Sequence, residues 1–312
     1  MIKISVVIPH YDDLGNLATC LDLLDRQSLD RSEFEVIIAD NASTCGLPAV
    51  EAVVRGRAQV VLASEKGAGP ARNHAAALAR GRALAFIDSD CRPVRDWLRD
   101  GVAALERHPI VGGPVIMEPQ DGTDVTGVEA FDIVFGFDAL EFLKNRGFIG
   151  SGNLFVRREV FDRVGGFRSG VSEDVDWSHR AVAEGYALAF EPGAIVGHPA
   201  RRDWNALIRT WERRTRESYL LTREKRFGRL QWLLRAWIVL ASPVVHALKI
   251  LGCERIPRWR SRLAGVAVLF RLRFYRFVEA HRLVLGTAPE VFGTEPRPAV
   301  APGLPTADRR HD

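Results

Sequence analysis

The sequence predicts an α/β fold, with a mostly parallel central sheet flanked by helices and a basic helical appendage at the C-terminal side. Three observations carry this reading. Short, uninterrupted apolar runs alternate with stretches of helical spacing from Ile4 onwards, the order expected of strands buried on both faces. Several runs end in carboxylates, at Asp40 and at Asp88-Ser89-Asp90, and open parallel sheets bind ligands beyond the carboxyl ends of their strands. From Arg201 the composition changes. Between Arg201 and Pro289 stand 20 Lys and Arg against 6 Asp and Glu, so the remainder of a chain of net charge +4 carries about −10. An acidic front can hold a cation, and a basic rear can meet an anionic surface.

The elements follow in order. Ile4 to Ile8 is a buried strand that Pro9 should stop, with a loop from Pro9 to Asp13. Leu14, Leu17, Cys20, Leu21 and Leu24 recur at helical spacing, and Asp12 or Asp13 can cap that helix. Phe34 to Ala39 is the second strand, ending at Asp40. Val50 to Val54 is a short helix and Val60 to Leu62 a third strand. Lys66 to Asn73 reads as a loop leading into a helix, Ala75 to Arg80. Ala83 to Ile87 is the fourth strand and delivers Asp88 and Asp90 at its end. Two hard anionic oxygens there suit Mg²⁺ or Mn²⁺, metals that commonly also touch substrate phosphates. Trp97 to Leu105 is a helix and Val111 to Ile116 a strand. Residues 119–146 are rich in aromatics without a clean period and read as core packing. A glycine-loaded turn, Phe148 to Gly152, runs into a strand, and small residues there let a backbone approach a ligand closely. Glu159 to Val164 is a short helix closed by Gly165-Gly166. Glu173, Asp174 and Asp176 open a further helix, where the dipole favours carboxylates, although three exceed what one cap requires. Ala187 to Phe190 and Ala194 to Val196 are strand-like, and Gly197-His198-Pro199 ends the unit.

The four cysteines (Cys20, Cys45, Cys91, Cys253) are widely spaced, which argues against a zinc site or a disulfide framework and fits a reducing compartment. The chain starts on a strand, with no signal-peptide pattern, so a cytoplasmic location is expected. Gly67-x-Gly69 lies between a strand and a helix. Arg72 stands where a dinucleotide fingerprint needs its third glycine, so a dehydrogenase is not indicated. The loop can still place N–H groups at a helix start for an anion, and Arg72 either adds a contact to phosphate or pairs with a strand-end Asp.

Taken together, Ser5-Val6-Val7-Ile8-Pro9-His10-Tyr11, Asp40 to Thr44, Gly67 to Asn73, Asp88-Ser89-Asp90, Gly150 to Leu154, Arg157-Arg158, Gly165-Gly166-Phe167, Glu173-Asp174-Val175-Asp176, Arg180, Gly185-Tyr186 and His198 resemble, in order, the family 2 glycosyltransferases over about residues 3–200. The resemblance implies a GT-A fold, an inverting transfer from a nucleotide-diphosphate sugar (UDP-, GDP- or dTDP-linked) and a glycan or lipid-linked acceptor. It implies that Asp40 contacts the base, that Pro9, Tyr11 and Asp12 line the base and ribose pocket, and that Gly67, Arg72, Asp88 and Ser89 also hold the donor. Asp88, Asp90 and His198 would hold Mn²⁺ or Mg²⁺. Asp174 would be the general base, with Gly152, Asn153, Glu173, Asp176 and Trp177 on the acceptor side. Two departures matter. Asp12 stands where Asn or Glu is commoner, and the Gln-x-x-Arg-Trp element of processive synthases is missing, so a single addition in cell-envelope glycan or glycolipid synthesis is expected. The alternatives are a sugar-nucleotide nucleotidyltransferase, disfavoured by the acidic first loop, and a non-catalytic anion- or membrane-binding protein.

The domain reading is residues 1–200 catalytic (nucleotide-sugar half about 1–112, acceptor half about 113–200), 201–285 a basic, aromatic-rich helical region, and 286–312 a disordered tail. In the rear, Trp, Phe and Leu interleave with Arg, and the uncharged run Ala236 to Leu248 is shorter than the roughly 20 residues that span a bilayer. That pattern fits helices lying on the cytoplasmic face of a membrane, with packing on the catalytic domain or a homodimer contact as the competing readings. No nucleic-acid module is readable.

Overall fold

The computed structural model describes residues 2–120, 124–169, 172–223 and 226–286. Strand β1 (Ile4–His10) is buried throughout and continues through Pro9. Its register with the fourth strand ends at Val7, while pairing with the second runs on to His10. The missing N–H of Pro9 therefore lies beyond the end of the β4 ladder. Helix α1 (Leu14–Leu24) is capped by Asp13, whose carboxylate accepts from the Asn16 N–H. Then come β2 (Phe34–Asp40), α2 (Leu47–Val54) and β3 (Gln59–Leu62). Helix α3 (Ala68–Leu78) starts well before the expected Ala75. Gly67, at φ +125°, turns the chain into it, and Pro70 sits in the first turn, where no intrahelical N–H is needed.

After β4 (Ala83–Ile87), β5 (Arg92–Pro93) and α4 (Trp97–Arg107), the single expected strand over 111–116 is two strands in different sheets: β6 (Ile110–Gly112) and β7 (Val115–Glu118). Gly113-Pro114 makes the break, and a Cβ on Gly113 would lie 1.9 Å from the Ala194 carbonyl oxygen. Helix α5 (Gly127–Phe135) and the short α6 (Ala139–Glu141), which runs into a π-helical turn, precede β8 (Asn153–Arg157), α7 (Arg158–Val164), α8 (Glu173–Ala183), β9 (Leu188–Phe190) and β10 (Val196–Pro199). His198 thus lies within a strand rather than beyond one. The large sheet has the order β3-β2-β1-β4-β8-β6-β9, with β8 antiparallel to both neighbours and the other pairs parallel; the small sheet is β5-β10-β7. This is the mostly parallel, helix-flanked sheet that the sequence predicts.

Alternate residues of the buried strands face two cores. Ile4, Val6 and Ile8 meet α1, α2 and α4 through Leu17, Val50 and Trp97. Val7, Ile37 and Phe86 meet α3, α7 and α8 through Ala71, Phe161 and Trp177. The rear consists of α9 (Trp204–Arg223), α10 (Gly228–Ala241), α11 (Pro243–Leu251) and α12 (Trp259–Leu285). It is packed onto the front: Met117, Phe131, Leu207, Ile250 and Leu269 share one buried cluster. The aromatic stretch without a clean period therefore supplies α5, whose apolar residues fill a core common to both parts. Helices α10 and α11 meet at a 43° bend; no single described helix is long and apolar enough to cross a membrane, although this bent pair together passes on length and composition. The expected disordered tail, from residue 287 on, lies outside the described residues.

Candidate active site

Asp88 to Cys91 form the turn between β4 and β5, closed by the Cys91 N–H donating to the Asp88 carbonyl at 3.0 Å. β5 pairs antiparallel with β10, Gly197 opposite Arg92, and this pairing carries His198 back across the turn. His198 Nε2 lies 3.3 Å from Asp90 Oδ2. The same ring's Nδ1 is 2.9 Å from the Pro199 carbonyl oxygen, so in the neutral ring Nδ1 bears the hydrogen and the Nε2 lone pair faces the carboxylate. Two acceptors facing one another require a proton or a cation between them. The set of two carboxylates and one imidazole fits Mn²⁺. Ligand atoms of Asp88, Asp90 and Cys91 lie within 4.8 Å of one another. Burial pushes the Cys91 thiol well up, however, and a protonated thiol is a poor ligand for a hard ion. Burial also raises the Asp90 carboxyl above its ordinary range, opposed by His198 and reinforced by Asp88 and Asp13.

Arg72 organises the other side. Its position in the first turns of α3 aims the side chain inward, 3% exposed, where Nη2 donates to Asp88 and Nη1 to Glu173. Asp88 is thereby tied to the first turn of α8, and its Oδ2 faces Gly152, where a Cβ would come within 2.7 Å. Of the three carboxylates on that turn, Glu173 pairs with Arg72, and Asp176 with Arg180 at 2.8 Å and Arg168 at 3.6 Å. Asp174 has no cation partner among the described residues. Its Oδ1 accepts from the Val175 N–H at 2.8 Å, and its Oδ2 faces Gly150. Burial first, then the like charge of Glu173, raises its carboxyl, while Arg72 works the other way. Beside Gly150 opens a small recess, lined also by Gly112, Gly113, Phe137 and Ile149.

The donor-side residues divide into a buried frame and an exposed mouth. Pro9 is buried in β1. Asp40, 1% exposed, accepts from Ser43 N and Oγ at 3.2 and 2.5 Å and from His10 Nδ1 at 3.0 Å. Each of its oxygens accepts at least one hydrogen bond inside the protein. Asp12, in the left-handed region at φ 50°, accepts from the Thr44 N–H at 2.7 Å and joins the first two strand-end loops. Tyr11 is half exposed with Lys66 Nζ 4.6 Å from its ring centroid. Gly67 donates its N–H to Asn41 Oδ1 at 2.9 Å. Ser89 is half-buried on the Asp88-Asp90 turn.

On the acceptor side two expectations need correction. Trp177 is fully buried, packed against Phe161 and Phe167, with its indole N–H donating to the Gly165 carbonyl at 2.9 Å. It lies on the inward face of α8, away from solvent. Asn153 is 2% exposed and is a staple between the sheets: Oδ1 accepts from Trp97 Nε1 at 2.9 Å, and Nδ2 donates to the Pro114 and Ala194 carbonyls at 3.0 and 2.8 Å. Neither side chain is free to meet an acceptor. The sequence reading also missed His10 and Lys66. Their position near strand ends is the available signal, but the sequence places both simply in loops, His10 after the first strand and Lys66 at the start of the loop to Asn73.

Comparison with known proteins gives the family of the chain. Residues 5–167 match the family described as "Glycosyl transferase family 2". Glycosyltransferase AglE of Haloferax volcanii is 32% identical over 206 residues, covering 64% of this chain and 67% of AglE. The poly(ribitol-phosphate) beta-N-acetylglucosaminyltransferase TarS of Staphylococcus aureus is 29% identical over 112 residues, covering 35% of this chain and only 20% of TarS. A solved mannosyltransferase, PcManGT of Pyrobaculum calidifontis in complex with GDP-Man and Mn²⁺, shares the fold with a TM-score of 0.56 at 20% identity, over 91% of this chain and 86% of that one. The nucleotidyltransferase and non-catalytic readings give way to these matches: the chain is a glycosyltransferase and belongs to glycosyl transferase family 2.

Proposed function

We propose that this enzyme moves a sugar from a nucleotide-diphosphate sugar to a hydroxyl of a glycan or lipid-linked acceptor, with inversion and with a divalent metal. The observation that carries the reading is the meeting of three distant segments. Asp90 faces His198 at 3.3 Å, and Arg72 joins Asp88 to the turn that bears Asp174. Asp88, Asp90 and His198 would hold Mn²⁺ or Mg²⁺, which when bound stabilises the leaving diphosphate as a Lewis acid. Asp174 Oδ2 takes the proton from the acceptor hydroxyl as that oxygen bonds to the anomeric carbon and the bond to the diphosphate breaks. Only one base is called for, since the acceptor oxygen attacks the anomeric carbon directly. The raised Asp174 carboxyl makes its anion a stronger base than an exposed aspartate.

Tyr11 offers an exposed ring for the base, with Lys66 beside it. Asp40 serves this pocket by holding His10 and Ser43. The recess beside Gly150 supports entry of the acceptor next to Asp174. The rear helices are proposed to rest on an anionic membrane surface, since Trp237, Ile238, Val244, Val245 and Leu248 are exposed on α10 and α11 in a region rich in arginine. The test is a screen of UDP-, GDP- and dTDP-sugars for donor hydrolysis with Mn²⁺ or EDTA, then with soluble and lipid-linked acceptors. One metal-dependent donor is expected. Turnover that EDTA leaves intact would sink the metal assignment.

A further inference from the structure

Several arginines of the rear helices gather beside aromatic rings with little or no counter-charge among the described residues: Arg273 is buried, Arg214 and Arg276 are half-buried, and Arg235 is exposed. Arg214, Arg273 and Arg276 surround the Trp211 ring, their guanidinium carbons 5.3, 5.9 and 4.5 Å from its centroid. Arg235 stands over Trp232 at 5.7 Å. Among the described residues, none of Arg235, Arg273 and Arg276 has a hydrogen-bond acceptor or a carboxylate partner. The Nε atoms of Arg273 and Arg276 are buried and unsatisfied. Among the described side chains, the carboxylates nearby are committed elsewhere: Glu279 to Arg216 at 3.4 Å, Glu212 to the Tyr275 hydroxyl and Asp132 to Arg201 at 3.1 Å. Burial, followed by Arg273, Arg235 and Arg214, pushes Arg276 down to about 9. Like charges gathered where water reaches them only in part are costly unless an anion completes them.

A recess opens among these groups between α9, α10 and α12. It is an open, shallow recess rather than an enclosed cavity, lined by Thr215, Trp232, Arg235, Val239, Arg276 and Ala280. Thr215 is 3% exposed, and its hydroxyl has no partner. A phosphate oxygen matches this set: it accepts from guanidinium N–H groups and from a hydroxyl, and it brings the negative charge that the arginines lack. We propose that this recess is a second anion site of the enzyme, binding a phosphate or diphosphate ester through Arg276, Arg235 and Thr215. It does not depend on the donor site or on the metal there.

Two arms test it on the full chain in EDTA, which withholds metal from the donor site. In the first, inorganic pyrophosphate is titrated calorimetrically. Wild type binds, Arg276→Gln weakens binding by about tenfold or more, Thr215→Val by about threefold, and Arg229→Gln, an exposed arginine of α10, leaves it unchanged. T215V alters no charge and keeps the test valid should R276Q fold poorly. The second arm compares vesicles containing phosphatidic acid, a phosphomonoester, with phosphatidylglycerol vesicles of equal surface charge. A preference for phosphatidic acid that R276Q abolishes assigns the phosphate to a lipid head group; pyrophosphate binding without that preference assigns it to a soluble ester. Equal behaviour of wild type and R276Q in both arms, or no wild-type binding in either, overturns the proposal.

Discussion

Arg72 is buried and Arg276 half-buried, and they differ in what surrounds them. Arg72 is held by two carboxylates from opposite sides of the active site, Asp88 and Glu173. Arg276 has aromatic rings and other arginines for company. A buried charge with partners fixes geometry, here the distance between the metal-side turn and α8. A charge drawn from water without a partner costs the fold stability unless an anion from outside meets it. The same contrast separates Asp174 from Glu173 and Asp176, which are matched to arginines while Asp174 is not.

The largest effect expected is on Asp174. Asp174→Asn should lower kcat by about 10²- to 10⁴-fold while calorimetry finds donor affinity within a small factor of wild type. Burial raises this carboxyl in the folded state, so folded protein holds its proton more tightly than unfolded chain does. The anion therefore costs stability above that folded pKa, and D174N should melt higher at neutral pH. Near-wild-type turnover in D174N would break the claim that the unpaired carboxylate is the working one. His198→Gln should raise the Mn²⁺ concentration for half-activity by about tenfold or more; an unchanged metal requirement would remove His198 from the site.

The two arginines should respond in opposite directions. Arg72→Met leaves Asp88 and Glu173 unmatched and should destabilise by about 3 kcal/mol. Arg276→Met removes an unmatched charge and should stabilise by about 1 kcal/mol in phosphate-free buffer. Denaturant melts that move both variants the same way would dissolve the comparison. The smallest effect is in pH. In the proposed mechanism activity requires the Asp174 anion, so the acid limb of kcat/KM is expected to follow its raised pKa. Glu173→Gln removes a charge that raises it and should move the limb to lower pH, while Arg72→Met removes one that lowers it and should move the limb up. Limbs that stay in place would separate Asp174 from this charge pair.

Sequence carried the strand ends well, because an uninterrupted apolar run followed by Asp-x-Asp has few other uses in a parallel sheet. It also carried both options for Arg72, and the pairing with a strand-end Asp is the contact seen. What it could not carry was the direction of side chains. Trp177 and Asp174 are three residues apart on one helix, yet one is core and the other faces Gly150, since only the packed position of α8 decides which flank is inward. Asn153 stands in a glycine-rich turn that suggests ligand contact, and its engagement with Pro114 and Ala194 depends on strands that no local pattern links. The split at Gly113-Pro114 is similar: a single apolar run feeds two sheets because the Ala194 carbonyl crosses where a side chain would be.

Helix α5 has a consequence for how the molecule can be cut. Its apolar face closes over residues from α9, α11 and α12 in one cluster, while its flanks lead to Phe137 and so to the recess beside Gly150. Excision at residue 200 would strip cover from Met117, Phe131 and Ile133 together, leaving a catalytic fragment with an open, sticky wound rather than a free-standing domain. Front and rear are therefore expected to melt as one cooperative unit.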